Sequence, residues 1–220
     1  MLALNVKAFA ATMIVFGLIA VGTTADVHLP GNHVGYAPEQ PIAFSHRLHA
    51  GELKIDCVYC HYAARRSRTA GVPPASICMN CHKVVTAGFD AMQAERKLAA
   101  TEKREPRRVF SPEIRKIYDA LGLDGNAKPK VSAAGESEAK PIEWVRVHNL
   151  PDFVFFNHSV HVAKHVACQR CHGPVQAFER MRQYADLSMG WCLDCHRNTQ
   201  VADTSGKTRF PTTDCGACHY

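Results

Sequence analysis

Between Ala8 and Ala25 the chain carries no charged side chain, and Phe9, Met13, Ile14, Val15, Phe16, Leu18, Ile19 and Val21 dominate. Such a run predicts one apolar helix at the lower limit of what spans a bilayer, extendable across Asn5 through Leu2 to Val6. The weakly basic start and the small residues Thr23 and Ala25 also suit a cleavable signal peptide. Because the run ends without a convincing cleavage site, the expectation is a retained single-pass anchor over residues 1–25, with the chain after Asp26 outside the membrane.

Past Asp26 the pattern changes. Residues 26–83 and 141–220 are rich in Gly, Pro, Asn and Asp and hold few long periodic stretches, which predicts short helices joined by irregular chain. Residues 84–140 differ again. "GFDAMQAERKLAATEKREP" reads as a polar helix laced with i,i+4 charge pairs. "SPEIRKIYDALG" predicts a helix with Ser111 as N-cap and Pro112 in its first turn. Ile114, Ile117, Tyr118 and Leu121 share one face, and Gly122 is the stop. "DGNAKPKVSAAGESEAKP" then reads as a linker of low hydrophobicity. This middle segment, with Met92 its sole nominal ligand, is expected to be a spacer or docking surface rather than a site.

About 195 residues beyond the anchor suffice for one compact domain or two small ones. Their chemistry is set by ten cysteines that fall entirely into five motifs, "CVYCH", "CMNCH", "CQRCH", "CLDCH" and "CGACH". Zinc ribbons pair their knuckles, so five leave one over, and the residue after each knuckle is free. A disulfide framework gives no reason for histidine after every second cysteine. A thioredoxin-like motif occurs once, beside a βαβ pattern that is absent here. Covalent haem attachment needs this arrangement: two thioethers to the vinyl groups and the next imidazole as proximal iron ligand. The expectation is five haem c groups, held by Cys57 and Cys60, Cys78 and Cys81, Cys168 and Cys171, Cys192 and Cys195, Cys215 and Cys218. Their proximal ligands are His61, His82, His172, His196 and His219. Thioether attachment places the folded part on the extracytoplasmic side. Five macrocycles would also supply much of the core.

The motifs fall into a pair (Cys57 to His82) and a trio (Cys168 to His219). Each group follows a related phrase, "FSHRLH" at Phe44–His49 and "FNHSVH" at Phe156–His161, which suggests duplication of a haem-binding unit. Histidines at i and i+3 of a helical turn project from one face and can reach two neighbouring irons.

In order and spacing, the anchor, "GYAPEQPIAFSHRLHAGELKIDCVYCH", "GVPPASICMNCHK", "LPDFVFFNHSVH", "CHGPV" and "MGWCLDCHR" resemble the pentahaem cytochrome c subunit of bacterial alternative complex III. Single motifs are similar to those of c3 and c7 cytochromes. The resemblance covers nearly the whole chain and is weakest over residues 83–140. It implies a multihaem cytochrome c with a haem-dominated core, short helices and much irregular structure. The implied setting is a membrane quinol-oxidising complex with an iron–sulfur subunit related to molybdopterin oxidoreductases and quinol-binding membrane subunits. From there electrons pass to a monohaem cytochrome, a soluble carrier or an oxidase. In the c3 and c7 pattern, His46 would cap the iron on Cys57 and Cys60, and His158 that on Cys168 and Cys171. His49 and His161 would cross to neighbouring irons. His148 is the expected fifth distal histidine and Met189 its rival, a thioether that would raise one potential. His28 and His33 lie next to the anchor, and His165 sits too close to Cys168 to cap that iron.

Six-coordinate irons have no open substrate position, which favours an electron relay over a haem enzyme acting on a small molecule. A self-contained quinol dehydrogenase cytochrome is the third class, usually with fewer haems. The formal charge of +6 from 26 Lys and Arg against 20 Asp and Glu invites an acidic partner. Each ferric haem brings about one net negative charge, which leaves roughly +1 for the holo-protein. Without a matching motif or aromatic platform, nucleic acid is excluded as a partner.

Overall fold

The computed structural model describes residues 11–17, 33–203 and 205–219. The expected anchor falls mostly outside these residues. Residues 11–17 are helical, with Met13, Ile14, Val15 and Phe16 exposed. Among the described residues no helix is long and apolar enough to cross a membrane.

Short helical turns carry the motifs, as the Gly- and Pro-rich pattern predicts. They are Cys57–Cys60, Ala75–His82, Gln169–His172, Met189–Asn198 and Cys215–Cys218. Three of them start on a side-chain cap. Asp56 and Asp214 accept hydrogen bonds from the Val58 and Gly216 amides, and Ser188 accepts from Trp191 N. These caps satisfy orphan amides that a one-turn helix has no spare length to hide. A two-stranded antiparallel ribbon pairs Val201–Ala202 with Thr208–Arg209 around the Asp203 turn.

The middle segment holds two longer helices. Phe89–Thr101 is polar and mostly exposed, burying only Ala99. Pro112–Ala120 forms as the sequence predicts: Ser111 Oγ accepts from Ile114 N, Ile117 and Tyr118 are buried, and Gly122 turns the chain at φ 61°. Tyr118 is fully buried. Its hydroxyl donates to the His82 carbonyl at 2.9 Å and accepts from Arg108 Nη2 at 3.0 Å. The middle segment is thereby fastened to the second motif. The polar linker stretch, residues 124–141, is folded on itself. Two tight turns close there, with bridges Leu123–Pro129 and Val131–Ser137. The Asp124 carboxylate accepts from the amides of Asn126 and Lys128, and the Lys140 amide docks on the Ala120 carbonyl. Local polar bonding and the positive φ of Gly135 order a stretch that has too little apolar surface to be held by a core.

The two motif groups interlock. The first phrase donates Arg47 N to Phe178 O, beyond the third motif, and Arg47 also bonds Glu179. A Cβ on Gly51 would sit 2.3 Å from the Gln176 carbonyl, so only glycine allows this approach. The second phrase does the reverse. His158 N and Ser159 N donate to Arg68 O and Ser67 O, beyond the first motif. Each half of the duplication therefore completes the other.

Among the described residues the protein core is small. Its buried apolar residues are Ile42, Ala64, Ala87, Ala99, Ile117, Tyr118, Phe178 and Ala185. Leu48, Tyr59, Phe153, Phe155, Val160 and Met189 stay exposed beside the phrases and motifs. A chain of this length normally buries far more.

Candidate haem-binding centre

A single helical turn places its two thiols on one side, because positions i and i+3 are neighbours on a helix surface. Burial pushes the thiols of Cys57, Cys60, Cys78, Cys171 and Cys192 up, so these are not activated nucleophiles. The same electrostatics identify which motifs adjoin. Cys60 lies beside Cys81 and Cys78. The thiols of Cys57 and Cys168 adjoin. Cys171 lies beside Cys195 and Cys192, and Cys192 beside Cys218.

The histidines are held with one nitrogen occupied. Nδ1 meets a backbone carbonyl in six of them: His61 on Gly71 (2.8 Å), His82 on Val85 (2.8 Å), His196 on Thr212 (2.6 Å), His158 on Arg68 (2.8 Å), His49 on Ser45 (2.9 Å) and His161 on Asn157 (2.8 Å). A donating Nδ1–H fixes the tautomer and leaves Nε2 as the lone-pair donor, the usual preparation of a metal-ligating imidazole.

Distances then pair the rings. Centroids are 6.1 Å apart for His49 and His82, 6.2 Å for His161 and His196, and 6.4 Å for His158 and His172. Two metal–nitrogen bonds of about 2 Å, with the offset from nitrogen to ring centre at both ends, put imidazoles on opposite sides of one metal roughly 6.3 Å apart. The three pairs match. Among the described residues no three His, Cys, Asp or Glu side chains converge on one metal position. Pairs without clusters suit a metal whose other four donors come from a macrocycle, and do not suit a tetrahedral zinc cage. The scant core and the exposed apolar side chains fit haem for the same reason.

Both phrases share one geometry. Phe44 meets His46 edge-on at 4.9 Å and stacks on His49 at 4.3 Å, while Phe156 meets His158 at 4.8 Å and stacks on His161 at 4.6 Å. The phenylalanine of F-x-H-x-x-H is a wedge that orients both imidazoles. His46 lies among His61 and His49, and burial, then those two rings, lowers its pKa to about 4. Its Nδ1 is buried without a hydrogen-bond partner. His172 is likewise lowered to about 4, by burial first and then by His148, His158, His61 and His46. Both are thus neutral at pH 7, as a ligating imidazole must be.

Two expected ligands lie differently. His148 sits against His172, its Nε2 3.1 Å from His172 Nδ1, with ring centroids 4.5 Å apart. Met189 is exposed at the first position of the helix that carries Cys192. The ring beside His219 is that of Phe153, at 5.7 Å, and Val154 bridges to His219. Sequence reasoning passed over Asp56 and Asp214, although an Asp directly before a helical turn is a readable cap signal. It also passed over Gln183, buried and bonded to the Asn149 amide, for which a lone glutamine gives no signal.

Residues 154–220, which hold three of the five motifs, match the family model described as cytochrome c7 and related cytochrome c. Over this span the chain resembles a cytochrome c7. A relative from Nitratidesulfovibrio vulgaris (strain Hildenborough), the multihaem cytochrome c subunit of a menaquinone reductase, is 26% identical over 201 residues, 82% of this chain and 77% of its own. Both findings support a multihaem cytochrome c with short helices and irregular structure, and with it covalent haem c.

Proposed function

We propose that this chain is the multihaem electron-relay subunit of a quinol-linked membrane complex, with haem c on all five motifs. The observation that carries this reading is the set of imidazole pairs at 6.1–6.4 Å. Two protein nitrogens on one iron leave no position for substrate, which suits a relay and not a reductase. A bound haem c would supply a one-electron ferric–ferrous couple; the chain would supply imidazole nitrogens to hold the iron, apolar cover and spacing. His49 and His82 serve the second motif, His158 and His172 the third, and His161 and His196 the fourth. His46 serves the first with His61. Met189 remains the candidate for the fifth, because Cys192, one turn on, lies beside Cys218.

The neighbouring thiols support a linear order of attachment sites: second, first, third, fourth, fifth. The junction of the two groups is Cys57 against Cys168. An electron entering at the second or the fifth site would traverse the whole chain.

The finer setting is the pentahaem subunit of alternative complex III. In that setting the apolar segment of residues 1–25 is retained as anchor and the haem segments 26–83 and 141–220 lie on the periplasmic side. The segment 84–140 serves as spacer. Its partners are an iron–sulfur, molybdopterin-oxidoreductase-like subunit, quinol-binding membrane subunits, and a monohaem cytochrome or soluble carrier. The relative's name favours a second direction for the same relay, toward menaquinone. Carbon monoxide titration of the fully reduced protein tests the relay reading. It predicts no stoichiometric binding; one carbon monoxide bound per chain would replace the relay with an enzyme open at one iron.

A further inference from the structure

The proximal imidazoles of the first, second and fourth motifs rest Nδ1 on backbone carbonyls at 2.6–2.8 Å. His172, in the third motif, does not. Its Nδ1 meets Nε2 of His148 at 3.1 Å, with the rings edge-on. Since Nε2 of His172 is the nitrogen turned to the metal, its Nδ1 carries the proton and donates, and His148 Nε2 accepts.

His148 is not free to serve an iron from this position. Its centroid lies 4.5 Å from that of His172, well short of the roughly 6.3 Å needed to sit across one metal from it. Its backbone is clamped on both sides. Arg146 Nε donates to the His148 carbonyl at 3.0 Å. The Asn149 amide donates to Oε1 of Gln183 at 2.9 Å, and Gln183, 1% exposed, is itself fixed by donating to the Ala185 carbonyl. Upstream, Gln40 bonds both backbone groups of Val145. These bonds fix the backbone that carries the ring, and the ring itself is held on His172. The cross-iron partner of His172 is instead His158, 6.4 Å away and nearly parallel at 12°.

We propose that His148 is not a sixth ligand but a positioning residue, the side-chain acceptor of the proximal His172 that lowers the potential of the haem on Cys168 and Cys171. An acceptor at Nδ1–H raises the basicity of the ligating imidazole and stabilises the ferric state. The third site lies at the junction of the two motif groups, so its potential controls passage between them. The inference rests on the proposed haem loading.

The test uses the full-length protein with His148→Leu and His148→Gln, read by haem content, electron paramagnetic resonance and a spectroelectrochemical titration. In His148→Leu, five haems remain, every wild-type low-spin signal persists, carbon monoxide still does not bind, and one midpoint potential rises while four hold. His148→Gln, whose side-chain carbonyl can accept from Nδ1–H, moves that potential back toward wild type. A high-spin iron that binds carbon monoxide in either variant would make His148 a ligand and overturn the proposal, as would five unchanged potentials. A wild-type protein lacking haem on Cys168 and Cys171 would instead defeat the loading on which the proposal rests.

Discussion

The imidazoles of His161 and His196 stand 6.2 Å apart, each with Nδ1 on a backbone carbonyl. The same relation recurs between His49 and His82 at 6.1 Å. The duplication visible in F-x-H-x-x-H is thus repeated in space, down to the phenylalanine wedge, with each second histidine crossing to the second motif of its own group.

Under the proposed function, these pairs give His49 and His161 one haem each. His49→Leu is expected to keep all five haems, since thioethers and proximal ligands remain, but to convert the iron on Cys78 and Cys81 to high spin. His161→Leu does the same on Cys192 and Cys195. Loss of one low-spin signal per variant, with carbon monoxide binding at that iron alone, is the expected readout. Unaltered spectra in both would disprove the pairing.

Gly173, directly after the third motif, has φ 72° and ψ −166°, and a Cβ there would fall 2.4 Å from the Tyr184 ring. Backbone region and space both demand glycine. Gly173→Ala is expected to cost at least about 2 kcal/mol, seen as a lower guanidinium midpoint for the haem-loaded protein. A variant as stable as wild type would rule out this close approach.

Glu95 anchors the turn after the Phe89–Thr101 helix. The Arg104 side chain, 2.5 Å away, and then the Arg107 amide hold its carboxyl at about 2 instead of the ordinary 4.5. A carboxylate with a lowered folded-state pKa contributes stability that is complete above about pH 4.5 and lost as pH falls through 2. Thermal midpoints should therefore separate wild type from Glu95→Gln above pH 4.5, and the gap should close toward pH 2. Parallel curves over that window would show that the pair contributes nothing.

Much of this was legible in the sequence because its signals are local. Cysteine spacing defines the five turns, and the Ser111–Gly122 helix carries its own start, stripe and stop. The two F-x-H-x-x-H phrases announce themselves by repetition. What escaped depends on contacts between distant segments. Nothing near residue 148 indicates that Gln183 and Gln40 will clamp it, nor does any local pattern say that Arg47 docks beyond the third motif and His158 beyond the first. How the polar stretch 124–141 is ordered was not legible for a related reason. Its order comes from Asp124 and turn geometry, which a hydrophobicity pattern does not register.

The central claim is that five CxxCH turns each hold a haem covalently. The intact mass of the purified protein under denaturing conditions tests it most directly. The account predicts a mass equal to that of the polypeptide chain plus five haems, with none released by acid or chaotrope. Three haems or fewer, or zinc in place of iron, would contradict it.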